Sequence, residues 1–296
     1  MVDRQPKFFG WGFEGDGLTL DEEKMVLDNY AGRFGVDGFE RIPIPTVDQI
    51  ELHGSRVEVP AKLAQICSTK DHDRLTHTYG KSFPDYVRIT DKDFTNAPDI
   101  VAYAKSEDDV DAVMDWATGA NVAVIPFGGG STVVGGIEPA GGNSFAGSLS
   151  LDLTGLAQVL EIDKVSRAAR MQGGIRCPDI EAGLRPHGLT MRHFPQSFDL
   201  ATLGGMIATR SGGHYATVYT HIDDFVESTR MLTPAGAMES RRLPGSGAGP
   251  SPDRMAIGSE GSLGIITEAW VRLQDRPNQR RSAGINFDKF EDGVEA

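Results

Sequence analysis

The sequence predicts an α+β fold, and three observations carry that prediction. Residues 99–126 read as strand, helix, strand, the pattern of a parallel crossover. Short apolar or alternating runs recur at 148–153, 159–163, 168–172 and 266–273, separated by turn residues, as the strands of a sheet are. Glycine-rich turns at 126–132 and 258–264 adjoin strand-like runs, which puts flexible backbone at strand ends, where open α/β sheets bind ligands.

Composition narrows the partners. A chain of 296 residues can form one large domain or two ordinary ones, and 39% hydrophobic with 24% charged residues is the make-up of a water-soluble globular protein. Lys plus Arg at 29 against Asp plus Glu at 42 gives 29 − 42 = −13, which repels nucleic acid and anionic surfaces. Any anionic ligand must therefore be held by local donors. Cys67 and Cys177 are too few for a disulfide framework and read as buried fillers in a reducing compartment. Residues 1–10 contain no apolar signal segment and no run is long enough to span a bilayer, so a cytoplasmic protein without an integral membrane segment is expected.

Residues 1–94 read as an N-terminal extension of weak periodicity. Phe8, Phe9, Trp11 and Phe13 form an aromatic cluster expected to dock on the main body. His72 and His77 lack the i, i+3 or i, i+4 relation of metal ligands on one helix face, so no metal site is expected, and both are placed in a loop or facing solvent. From Asp99 to Ala104 the chain is strand-like. Ser106 and Asp109 have capping-box spacing, Val110, Val113, Met114 and Ala117 share a helix face, and Gly119 is expected to end the helix. The strand at 122–126 then runs into Pro126-Phe127-Gly128-Gly129-Gly130-Ser131-Thr132. Glycines let backbone N–H groups approach an anion, and two hydroxyls add donors, which suits a phosphate or pyrophosphate. A tight surface turn would have the same composition.

Ser148 to Leu153 alternates as a half-buried strand. Pro178 opens a helix closed by Pro186-His187-Gly188, and Arg176, His187 and His193 are isolated and read as structural. Between 196 and 213 small residues and hydroxyls dominate, with Arg210 the one fixed positive charge and a fit for phosphate. Residues 223–233 and 237–242 read as a hairpin around Pro234-Ala235-Gly236, and 243–252 as a mobile Gly/Ser/Pro loop. Asp288 and Glu291 mark a helix that starts just before the chain stops at Ala296, so a C-terminally truncated chain is expected.

Three motifs in order, P-F-G-G-G-S-T at 126–132, Q-S-F-D-L-A-T-L-G-G-M-I-A-T-R-S-G at 196–212 and G-S-E-G-S-L-G-I-I-T at 258–267, resemble the FAD-binding domain of the vanillyl-alcohol oxidase / para-cresol methylhydroxylase superfamily. Within it the chain is most similar to the alkyldihydroxyacetonephosphate synthases, through Gly10-Trp11-Gly12-Phe13, Ser197 to Thr202 and Thr209-Arg210-Ser211-Gly212. The resemblance implies two α/β subdomains with FAD between them over residues 95–275, and the start of a cap domain over 276–296, with Arg280 to Phe287 as its first strand. It implies that Pro126, Phe127, Gly128, Gly129, Gly130, Ser131 and Thr132 hold the flavin pyrophosphate. Gln196, Ser197, Phe198, Asp199, Leu200, Ala201 and Thr202, with Gly205, Thr209, Arg210, Ser211 and Gly212, would line the pyrophosphate and isoalloxazine. Glu260, Gly261, Ser262, Leu263, Gly264, Ile265 and Ile266 would close over the ring and ribityl chain.

Ser211-Gly212-Gly213-His214 imitates a motif in which some relatives attach flavin to histidine, but there the histidine sits in the first glycine loop, so a non-covalent FAD is expected. The implied activity is exchange of the acyl group of acyl-dihydroxyacetone phosphate for a fatty alcohol in ether-lipid synthesis, on a small-molecule or lipid substrate. A homodimer, in the cytoplasm or peripheral to a membrane, is compatible with it. Two alternatives stand beside this reading: FAD-linked oxidation of a 2-hydroxy acid such as lactate or glycolate, and an incomplete or non-catalytic FAD-binding fragment. No residue of the chain is assigned as catalytic, because the family's catalytic Tyr and His lie near its C-terminus.

Overall fold

The computed structural model describes residues 5–140, 144–214, 221–243, 249–279 and 281–296. Two sheets organise it. The first has the order β1-β2-β4-β3 and comprises β1 (Cys67–Ser68), β2 (Ile100–Tyr103), β3 (Val122–Phe127) and β4 (Gly147–Asp152). β2 and β3 both run parallel to β4, which lies between them, and β1 pairs antiparallel on the edge. The second sheet is antiparallel throughout, in the order β5-β6-β10-β8-β9, and the remaining β7 (Leu189–Thr190) pairs with β11 (Gln274–Asp275). Its members are β5 (Val159–Asp163), β6 (Ala168–Gln172), β8 (Val226–Thr233), β9 (Gly236–Glu239) and β10 (Ile265–Arg272).

The helices follow from local signals. In the extension lie α1 (Leu20–Phe34), α2 (Asp71–Thr76) and α3 (Phe83–Thr90), where weak periodicity predicts no regular element. Thr19 and Glu22 form a full capping box on α1, and Ser82 and Asp85 another on α3, so paired caps offset the thin apolar stripe. α4 (Glu107–Ala120) connects β2 to β3, buries Val110, Val113 and Ala117, and is started by Ser106 and Asp109 as expected. It runs through Gly119 and ends on Asn121, whose left-handed φ of 54° is held by its own side-chain amide donating to the Ser144 carbonyl at 3.0 Å. α5 (Cys177–Leu184), α6 (Leu203–Ala208), α7 (Asp253–Ala256) and α8 (Phe290–Glu295) complete the set among the described residues. Arg280 lies outside the described residues, and the expected strand at its C-terminal side does not form over 281–287.

β4 is not half-buried: all six of its residues are buried, because strands pair on both its edges and α4 and the N-terminal segment cover its faces. Of the polar members of its alternation, Ser148 is matched by Asp99 and Asp152 by His77, while the buried Ser150 hydroxyl has no partner among the described residues. Each sheet has its own core, and a third cluster of Ile50, Leu75, Tyr79, Ile89, Phe94 and Ala97 anchors the extension. Phe8 and Phe9 pack against that third cluster, as the aromatic stretch predicts, whereas Trp11 is exposed. The two sheets meet where Leu232 and Ile265 of the second enter the core of the first. A bidentate fork from Arg230 to Glu107 locks that contact, at 2.8 and 2.9 Å, and the Thr267 hydroxyl donates to the same carboxylate. The crevice left between the sheets is where the predicted loops converge.

Candidate functional site

β3 delivers the glycine loop into this crevice. Gly129 lies so close to the Leu200 carbonyl that a Cβ there would sit 1.7 Å from the oxygen, and Gly130, at φ 64°, lies flat on the Phe127 ring with a Cβ position 2.6 Å from its edge. The glycines are thus required by the protein's own backbone and an aromatic side chain, a need that composition does not distinguish from the approach of a ligand. Their amides tell more. Among the described residues the N–H groups of Gly128 to Val133 donate to no acceptor, and the Ser131 hydroxyl also has no partner. A run of unpaired N–H groups on a glycine loop that lines a cavity is suited to cradle an anion.

The cavity beside the loop has a volume of about 320 Å³ and is walled by all three predicted segments. Pro126 to Thr132 form one wall, Ser197, Ala201, Thr202, Gly205, Thr209 and Ser211 a second, and Glu260, Gly261, Gly264 and Ile266 a third. The remaining predicted residues lie off it. Phe198 packs on the core of the second sheet and Ile265 in that of the first. Gln196, Gly212, Ser262 and Leu263 are not on its surface, and Asp199 and Leu200 face a second cavity on the other side of the loop. Arg210 does not point a free charge inward: its guanidinium is paired with Asp223 at 2.9 Å and more than half exposed.

Several wall residues carry no motif of their own. Val133, Val134, Gly136 and Ile137 prolong the glycine loop, Leu153 follows β4, Gly173 turns the chain after β6, and Met206 and Ala208 come from α6. The Gly173-Gly174 pair directly after a strand was the available signal for the last wall. Opposite the loop, Glu260 adopts a left-handed φ of 52°, and burial pushes its carboxyl above the usual carboxylate range. His193, read as structural from sequence, is buried with Nε2 3.2 Å from the Ser211 hydroxyl. It fixes a wall residue. His77, expected in a loop or facing solvent, is instead buried beneath the glycine loop, its ring 4.2 Å from that of Phe127, because Asp152 and the Asp73 carbonyl satisfy both its nitrogens. Neither cysteine is poised for chemistry, since burial pushes the Cys67 thiol up to about 11 and the Cys177 thiol to about 12. Among the described residues no group of three His, Cys, Asp or Glu could hold a metal ion, and no helix is long and apolar enough to cross a membrane.

Comparison with known proteins decides what the cradle belongs to. Residues 98–240, which contain the crossover, the glycine loop and the 196–212 segment, match the family described as FAD binding domain. The chain carries an FAD binding domain. It is 39% identical over 223 residues to alkyldihydroxyacetonephosphate synthase of Dictyostelium discoideum, an alignment that covers 75% of this chain and 36% of that protein. A solved structure of alkyldihydroxyacetonephosphate synthase superposes with a TM-score of 0.81 at 30% identity, over 93% of this chain and 54% of the other. The mitochondrial D-lactate dehydrogenase (cytochrome) of Arabidopsis thaliana is 29% identical over 82% of this chain and 42% of its own length. The chain thus spans about half the length, or less, of the relatives it matches.

FAD is the cofactor of this fold, and the residues present fit it. Pyrophosphate oxygens need donors that cost little desolvation, and the unpartnered amides of 128–133 and the Ser131 hydroxyl supply them without a basic patch in a protein of net charge −13. The walls beyond the loop combine apolar and glycine residues, which suit a flat aromatic ring, with the Ser197, Thr202, Thr209 and Ser211 hydroxyls and the Glu260 carboxyl, which suit its polar edge and the ribityl chain. His193 offers a check on the wall at Ser211. Burial, helped by His221, lowers its pKa to about 4. The unfolded chain therefore takes up the proton first, so the His193 contribution is complete above about pH 6.5 and is lost as pH falls toward 4. Replacing His193 by Gln is expected to remove about 3 kcal/mol of the stability lost between pH 7 and 4, measured by urea unfolding of both proteins at each pH.

Proposed function

We propose that this chain is the FAD-binding part of a flavoenzyme of the alkyldihydroxyacetonephosphate synthase type, which exchanges the acyl group of acyl-dihydroxyacetone phosphate for a fatty alcohol. The observation that carries the reading is the joint one of fold and loops: a superposition over 93% of the chain, and in this chain three loops that wall one cavity beside a run of unpartnered amides. In this reading the chain divides at residues 94/95 and 275/276. The 126–132 loop holds the pyrophosphate, Ser197, Ala201, Thr202, Gly205, Thr209 and Ser211 flank the flavin, and Glu260, Gly261, Gly264 and Ile266 close it in. Gln196, Phe198, Asp199, Leu200, Arg210, Gly212, Ser262, Leu263 and Ile265 support these walls from behind. The flavin is held without a covalent bond: the glycine loop at 126–132 carries no histidine, and His214 is exposed and is not among the residues that wall the cavity. The protein is placed in the cytoplasm or at a membrane surface, as a homodimer.

FAD, when bound, supplies the electron-accepting ring. The chain's own residues bind and orient it and shut water out of the crevice between the sheets. A second reading, oxidation of a 2-hydroxy acid, is favoured by the D-lactate dehydrogenase relative. Rapid mixing separates the two. Acyl-dihydroxyacetone phosphate and a fatty alcohol are expected to yield alkyl product while the flavin absorbance returns to its starting value. Bleaching of the flavin by lactate or glycolate, with no alkyl product, would replace the first reading by the second.

A further inference from the structure

The glycine loop does not end at Thr132. Residues 133–137 continue it along the cofactor cavity, where Val133, Val134, Gly136 and Ile137 are wall residues. This stretch has no helix or strand, and Val133 and Val134 are exposed, so it buries little of its own and takes its position from what holds its ends. Both ends are held by the N-terminal extension. At one, the Lys81 N–H donates to the Thr132 carbonyl at 2.7 Å, and a Cβ on Gly80 would fall 2.2 Å from the same oxygen, so residues 80–81 are pressed onto the backbone there. At the other, the Arg88 guanidinium of α3 forks onto the Glu138 carboxylate at 3.0 and 2.6 Å, and the Asn96 side-chain amide donates to the same carboxylate at 2.7 Å.

An exposed ion pair fixes little. This one is built differently. Two guanidinium nitrogens and an amide converge on one carboxylate, the Glu138 side chain is only 15% exposed, and Arg88 lies over the Tyr79 ring at 4.4 Å. Tyr79, Ile89 and Phe94 belong to the core cluster of the extension, and the Tyr79 hydroxyl donates to the Asp93 carbonyl at 2.6 Å, so the guanidinium is set on packed side chains. The Asp93 carboxylate meets the remaining nitrogen, Nε, at 3.5 Å, which leaves the fork to Glu138. Burial works against the charge of Glu138, but the Arg88 fork and the Asn96 amide outweigh it and hold the carboxyl below the usual carboxylate range. We propose that Arg88 is a positioning residue of the cofactor site, which through Glu138 holds residues 133–137 against the cavity. The inference rests on the reading that FAD fills this cavity. It gives the extension, which lies outside the 98–240 stretch matched by the FAD binding domain family, a share in cofactor affinity.

The test is a titration of the full chain with FAD, read by quenching of flavin fluorescence, beside urea unfolding of each variant without FAD. Arg88→Ala and Glu138→Ala are each expected to weaken FAD binding about tenfold, and the double variant no more than either single one, because each removes the same clamp. Arg88→Lys is expected to fall between, since an ammonium replaces the fork by a single contact. Arg167→Gln breaks an exposed fork to Asp275, at 3.0 and 2.9 Å, and neither residue walls the cavity, so it is expected to bind FAD as wild type does. In the wild type, without any variant, FAD is expected to slow modification of Arg88 by phenylglyoxal about threefold or more, read by mass spectrometry, because coupling between clamp and cofactor is reciprocal. Arg88 is not a wall residue, so direct shielding does not produce that result. FAD binding within about threefold of wild type in a folded Arg88→Ala, losses that multiply in the double variant, or an equal loss in Arg167→Gln overturns the role of Arg88. So does an Arg88 modification rate unmoved by FAD. A wild-type protein that takes up no FAD overturns the reading of the cavity, and this inference with it.

Discussion

Replacing Gly129 by alanine is expected to weaken FAD binding at least a hundredfold. A Cβ at this position would lie 1.7 Å from the Leu200 oxygen and 2.4 Å from its carbon. Neither atom can yield, because Leu200 and Ala201 are tied by their own N–H groups to the Ser197 carbonyl at 2.9 and 2.8 Å and both residues are buried. The loop must therefore move, and it carries the free amides of 128–133 with it. A hundredfold loss corresponds to about 2.8 kcal/mol, within the range of forced overpacking of a fixed backbone. Titration of protein into FAD, followed by quenching of flavin fluorescence, measures the loss. Gly119→Ala is the control: it lies inside α4 with open space around it and is expected to bind FAD as wild type does, with stability raised by up to about 1 kcal/mol. If Gly129→Ala bound FAD within threefold of wild type, the loop would not be the cradle.

The same loop shows what the sequence made legible. Three glycines after a strand mark a place of close approach, yet composition is silent on what approaches. Here the partners are Leu200 and Phe127 on one side and free amide donors on the other, and only the fold separates the two uses. The crossover β2-α4-β3 was legible because capping box, apolar face and strand runs agree within 30 residues. α1 carries an equally good capping box at Thr19 and Glu22, but buries only Ala31, so a reading led by periodicity passes over it. In β4, alternation identified the two faces correctly and their burial wrongly, since Ser148 and Asp152 meet polar partners brought from Asp99 and His77. The partners of His77 and Arg210 lie at separations, or at turns, that no local spacing announces. Arg210, the cation visible in the sequence, is spent on Asp223.

Removing the Asp152 carboxylate is expected to cost about 3–5 kcal/mol of stability and to disturb the glycine loop from beneath. His77 presents Nδ1 to the Asp73 carbonyl at 2.7 Å and Nε2 to Asp152 at 3.0 Å, and both residues are nearly inaccessible, at 3% and 5% exposure. The carbonyl and the carboxylate sit at the two ring nitrogens, so His77 and Asp152 are each other's polar partner in a dry setting. Asp152→Ala leaves that ring unmatched and also strips Thr154 of the acceptor for its N–H and hydroxyl. The ring in turn packs, tilted by 44°, at 4.2 Å against Phe127, whose outer edge abuts Gly130. Strain at Asp152 therefore reaches the cradle through two packed rings rather than through any contact with FAD. His77→Ala alone is expected to be costly for the mirror reason, the buried carboxylate, whereas His77→Ala with Asp152→Ala leaves neither partner of the pair unmatched in a dry interior. Urea unfolding of the two single variants and the double variant should accordingly show a coupling of about 1.5 kcal/mol or more, and FAD affinity should fall in each single variant. Additivity within about 0.5 kcal/mol would mean that the two groups act independently and that the loop is not held through them.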